Sequence, residues 1–184
     1  MTFIFLIFRK DQKYFYRIIS KRKNRVGGQE LKKRHEVLFN QLKAYRDEIL
    51  AVLEHVSPEE AEIIPQGFKN NIRWNLGHIY LDQYLWIQSV TKEKANVPEQ
   101  FMSWFGYGTS PSNFDVNTPT FNELKLILKS QPFEIKNQYG SRLEEEFPPT
   151  EMGMHTIEQV LIRTIFHEGM HLQSILDILK MIER

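Results

Sequence analysis

The last thirty residues constrain the fold most. From His155 or Thr156 onward, Val160, Leu161, Thr164, His167, His171, Ile175 and Ile178 recur at three- and four-residue steps. That is the spacing of one face of an α-helix, and a stripe this regular has to be buried against other helices. It carries two histidines with it. Side chains four apart on a helix lie one above the other, and neutral imidazole is the commonest protein ligand for zinc and other borderline metals. The segment His167-Glu168-Gly169-Met170-His171 spells H-E-x-x-H, the pattern that gives zinc peptidases two ligands and a general-base glutamate. Such a peptidase needs a third protein ligand. Thirteen residues follow His171, and only Asp177 and Glu183 among them are candidates. Asp177, six positions on, points away from the histidine face at about 100° per residue. The third ligand therefore lies upstream, and His78 is the best candidate. Glu168 turns about 100° from His167 and about 60° from His171. It could act as a base on a metal-bound water, orient a histidine, or face a neighbouring helix; the last two are favoured.

The same helical period returns three more times. Residues 29–56 carry it through Leu31, His35, Leu38, Leu42, Tyr45, Ile49, Val52, Leu53 and Val56. Ser57-Pro58-Glu59-Glu60 then reads as a stop and a new short turn, with Ser57 as N-cap and Pro58 at the first position. Asn70 or Asn71 caps a second long helix running to about Val90. Its two adjacent stripes, Ile72/Leu76/Ile79/Gln83/Trp86/Val90 and Trp74/His78/Leu81/Leu85, make a wide buried face. Residues 94–119 break the pattern with three prolines and two glycines around Phe101, Trp104, Phe105, Tyr107 and Phe114. A connection this long inside a compact domain is usually functional, and its aromatics predict a lid or wall packed over something. Thr120 to Phe147 resumes the spacing, with Pro132 expected to kink the helix or to fall in its first turn. No β alternation appears. The chain predicts an all-α fold, a four-helix bundle with a long crossover between helices two and three.

Charge divides the chain. Residues 1–34 carry eleven Lys and Arg against two acids, whereas residues 35–184 carry thirteen against twenty-one. Residues 1–28 read as a basic N-terminal arm, disordered or docked, and 29–184 as the helical domain. The apolar run Met1 to Phe8 is shorter than the roughly 20 residues that span a bilayer. One short basic arm is also a non-specific signal, so neither stable membrane association nor specific nucleic-acid binding is expected. There is no cysteine, which excludes disulfides and thiolate ligands and fits a cytoplasmic protein.

His78, His167 and His171 all fall on stripes that face the interior. Buried histidines need partners, and three that converge share one most simply through a metal. A three-histidine set leaves an open position for water or substrate, as catalytic sites do. His35 and His55 lack such pairing and read as structural or exposed; His155, near a helix start, reads as exposed. Asp82, one turn after His78, is a candidate to orient a ligand. Trp74, Trp86 and the aromatics of 101–114 read as core and pocket wall.

Two segments resemble the motifs of the DinB-like superfamily: Asn71-Ile72-Arg73-Trp74-Asn75-Leu76-Gly77-His78-Ile79, where a Gly-His pair carries the first ligand, and His167-Glu168-Gly169-Met170-His171-Leu172-Gln173, its C-terminal H-x-x-x-H. The resemblance covers about residues 30–184. It implies an up-down-down-up bundle, one divalent metal (zinc or nickel foremost) on the three histidines, and a homodimer. It also implies a thiol-dependent transferase or isomerase acting on a small molecule, with a low-molecular-weight thiol such as bacillithiol or mycothiol as cosubstrate; a water activated at the open position of the metal would instead make the protein a hydrolase. Because the chain has no cysteine, a thiolate would have to come from such a cosubstrate, and S-transfer is preferred. The competing readings are a non-enzymatic bundle stapled by its metal and a zinc peptidase using Glu168.

Overall fold

The structure, a computed structural model, describes residues 31–182. Expectations about the basic arm of residues 1–28 lie outside them. Among the described residues there are six helices and no strand: α1 (Lys33–Val52), α2 (Pro58–Ala61), α3 (Ile72–Thr91), α4 (Gln100–Phe105), α5 (Phe121–Tyr139) and α6 (Ile157–Ile182). The long helices α5 and α6 each pack against both α1 and α3. None of the described helices is long and apolar enough to cross a membrane.

Local sequence sets the helix starts, at Ser57 and Asn71 as expected. Ser57 and Glu60 form a capping box with Pro58 in the first turn of α2. The Asn71 side chain accepts the Trp74 N–H at 2.8 Å and starts α3. Thr120 and Glu123 form the corresponding box on α5. Thr156 accepts the Gln159 N–H at the head of α6. The core runs from Ile49, Leu76, Phe101, Phe105 and Leu124 at one end to Leu42, Tyr84, Ile87, Ile135 and Leu161 at the other.

Helix α5 departs from the spacing that carried it to Phe147. It ends at Tyr139 and continues as a 3-10 turn over Gly140–Arg142. Arg142 is taken by Glu93 and Glu145, and the Phe147 N–H bonds to the His155 carbonyl. These contacts hold the segment as a connection into α6.

Pro132 lies inside α5 rather than in a first turn. Proline has no N–H, so the carbonyl four residues earlier, that of Leu128, loses its helical donor. Arg46 of α1 supplies the replacement, with Nη1 donating to the Leu128 carbonyl at 2.8 Å and to Gln131 Oε1 at 2.9 Å. Gln131 in turn donates to the Tyr80 carbonyl of α3 at 2.8 Å. The rest of the Arg46 guanidinium meets Glu168 of α6, at 2.5 Å through Nε and 3.1 Å through Nη2. Arg46 is 1% exposed, Gln131 0% and Glu168 3%. One buried polar network thus joins all four long helices.

The crossover between α3 and α5 is ordered by its aromatics. Phe101, Trp104 and Phe105 of α4 are buried, whereas Tyr107 is fully exposed. The end of the crossover is tied back by Arg73, which donates to the carbonyls of Thr118 and Pro119, both at 2.8 Å.

Candidate metal centre

Helix α3 presents His78, and α6 presents His167 and His171 one turn apart. The structure brings these three together: one ring nitrogen of each lies within 4.8 Å of the others. The Nε2 atoms of His167 and His171 are 3.2 Å apart. His78 is buried, and the two α6 histidines are half-buried. The Trp74 ring stacks on His78, with centroids 4.7 Å apart and planes 10° from parallel.

The opposite nitrogen of each ring is engaged. His78 Nδ1 lies 2.6 Å from the Phe105 carbonyl oxygen, His171 Nδ1 lies 2.7 Å from Asn75 Oδ1, and His167 Nδ1 lies 2.9 Å from Asp82 Oδ2. A carbonyl and a carboxylate can only accept. The Asn75 amide is fixed the same way round, because its Nδ2 donates to the Asn71 carbonyl at 2.8 Å. All three Nδ1 atoms are therefore donors, which leaves the Nε2 of each ring, when neutral, as a bare lone pair.

Burial favours the neutral form of His78 and His171. Burial, helped by the neighbouring His78 and His167, pushes His171 down to about 3. Burial also lowers His78, against the opposing pull of its bond to Phe105. Burial would raise the Asp82 carboxyl, but its bond to His167 and the Arg163 guanidinium outweigh that and hold it below the usual carboxylate range. Arg163 adds a 2.9 Å bond to the same Asp82 oxygen and lies 4.3 Å above the Trp86 ring.

These residues fit a divalent cation. Nitrogens bound tetrahedrally at about 2.0–2.1 Å stand roughly 3.3 Å apart, close to the spacing of the two α6 nitrogens. Two bare lone pairs facing at that distance repel unless a positive charge lies between them. Nitrogen-only donors suit zinc, nickel, copper or iron over magnesium or calcium.

Glu168 is not at the centre. Its carboxylate is spent on Arg46, on the side of α6 facing α1, which is the outcome its helical phase favoured over a base. Asp82 takes the orienting position its spacing suggested. His55 and His155 are exposed. His35 is buried, and with Glu144 and Glu158 it forms a second group within 4.8 Å. Lys32 and Arg34 already occupy those carboxylates, so this group is an ion network tying the head of α1 to α6. Sequence reasoning missed Asn75 and Phe105. Asn75 was detectable as a polar residue one turn before His78 on a buried face. Phe105 acts through its backbone carbonyl, which leaves no trace in residue type.

An all-helical protein with a buried three-histidine group is the class these features define. Residues 41–175 match the DinB superfamily, and the chain belongs to it. No curated protein matches the chain at a significant level.

Proposed function

We propose that this protein is a metal-dependent enzyme of the DinB type, in which His78, His167 and His171 bind one divalent cation, zinc or nickel, through Nε2. The observation that carries this reading is the acceptor on every Nδ1: Phe105, Asn75 and Asp82 together fix all three tautomers with the bare nitrogen inward. Such a pattern orients ligands and raises their basicity. When bound, the cation would act as a Lewis acid and lower the pKa of a thiol or water at its remaining position.

The chain's own residues do the rest. Trp74 braces His78, Asp82 supports His167, and Asn75 supports His171. Glu168 does not stand ready as a base, because it is held by Arg46; this argues against the peptidase reading. With no cysteine in the chain, thiol S-transfer using a small thiol cosubstrate is the preferred reaction, with hydrolysis second. We take the domain as residues 29–184, an up-down-down-up bundle working in the cytoplasm as a homodimer. Ile162, Phe166 and Met170, exposed at four-residue steps along α6, support a dimer face.

Elemental analysis of the purified protein tests the reading. About one zinc or nickel per chain is expected, lost in His78→Ala and in His167→Ala. Absence of metal after incubation with zinc, nickel and manganese would overturn it. Metal bound with no thiol-transfer or hydrolase activity would turn the weight to a metal-stapled structural bundle.

A further inference from the structure

We propose that the crossover between α3 and α5 is part of the metal centre: Phe105, seated in the notch left by Gly77, positions His78, so that cation binding and docking of α4 are coupled. This rests on the metal reading above and adds to it how one ligand is set.

Three contacts carry the inference. A Cβ at Gly77 would lie 2.2 Å from Phe105 Cδ1, so the ring occupies the place of a side chain on the residue before His78. Gly77 is helical and has no positive φ, so its role is the room it leaves. Phe105 is also the last residue of α4, where carbonyls have no donor within the helix. His78 Nδ1 supplies one at 2.6 Å, satisfying the helix end and fixing the ring together. Trp74 makes a second connection. It stacks on His78 while its Nε1 donates to Thr109 Oγ1 at 2.9 Å, and that hydroxyl bonds to the carbonyls of Trp104 and Gly106. The crossover therefore holds His78 along its edge through Phe105 and across its face through Trp74. The α6 histidines take their Nδ1 partners from α3 instead, Asn75 for His171 and Asp82 for His167. Coupling of this kind is reciprocal: whatever docks α4 favours the cation, and the cation favours docked α4.

The test uses zinc and the full-length chain. Zinc affinity is measured by chelator competition for wild type and Gly77→Ala, and amide hydrogen exchange of residues 100–109 is followed with and without zinc. Alanine is the better helix former, so propensity alone predicts an unharmed variant. Displacement of Phe105 predicts zinc affinity weaker by about 10–100-fold with helical content retained. In wild type, zinc should slow exchange across 100–109, and in His78→Ala it should not. Should Gly77→Ala fail to fold, the wild-type exchange decides. Zinc bound at one per chain with exchange unchanged, or a folded Gly77→Ala variant of wild-type affinity, overturns this inference alone. Wild-type protein that takes up no zinc overturns the metal reading and this inference with it.

Discussion

Replacing Arg46 by methionine should cost far more than an ordinary surface change. The guanidinium is 1% exposed and makes two bonds to Glu168, one to Gln131 and one to the Leu128 carbonyl. Its removal leaves a buried carboxylate with no counter-charge, which costs about 3–5 kcal/mol. The Leu128 carbonyl adds to the loss, because Pro132 denies it a helical donor; an unsatisfied buried acceptor costs about 1–3 kcal/mol. The terms share one side chain and do not simply add. Arg46→Met should lower the stability by about 3–5 kcal/mol, a drop in Tm of roughly 6–20 °C for a domain of this size. The pair Arg46→Met/Glu168→Met removes both charges and should recover most of that loss, except for the Leu128 carbonyl. Adding Pro132→Ala restores a helical N–H to that carbonyl and should recover about 1 kcal/mol more. Urea denaturation followed by circular dichroism, with chelator present so that metal does not contribute, reads all three. A single-variant loss under about 1 kcal/mol, or a double variant no more stable than the single one, would refute the reasoning.

Other outcomes follow from the same geometry. Glu168→Gln should lower stability yet keep metal stoichiometry, checked by elemental analysis; loss of metal there would return Glu168 to the centre. Asn75→Ala and Asp82→Ala should each weaken zinc binding by about 10–100-fold without abolishing it, measured by chelator competition. Burial raises Tyr80 to about 12 and Tyr84 well above its ordinary value. The folded state therefore keeps phenol protons that the unfolded chain loses near pH 10, so this stability is full below about 10 and lost as pH rises toward 12. Urea midpoints from pH 8 to 12 should show that fall, and Tyr80→Phe should flatten it. If the exposed α6 face closes a dimer, Phe166→Glu should halve the mass seen by light scattering and leave the metal in place.

Helix period and caps were legible because each rests on neighbours within four residues. The Ser57 and Asn71 caps and the two-stripe face of α3 fell where spacing put them. The three histidines could be read as convergent because stripes on different helices share one core. The end of α5 could not be read, since Tyr139 is followed by apolar residues at helical steps. What stops the helix there includes Arg142 reaching Glu93, a partner 49 positions away. Pro132 left two placements open for a related reason. Its cost depends on whether the orphaned carbonyl finds another donor, and that donor, Arg46, lies 82 positions from Leu128.

Helical phase and distant partners also divide the H-E-x-x-H segment. Residues 167 and 171 share a face, and residue 168 is rotated by about 100° from the first. Which neighbour that rotation points at decides what the glutamate does. In α6 the histidines look toward α3, where Asn75, His78 and Asp82 meet them, and the rotation carries Glu168 to α1. Arg46 is already required there, because Pro132 has left the Leu128 carbonyl without a donor. Once a buried arginine is fixed to satisfy that carbonyl, its charge needs a buried carboxylate beside it, and Glu168 is the residue in reach. The glutamate of this segment is thus accounted for by a proline in another helix, while its two histidines are accounted for by the bare nitrogens they turn toward His78.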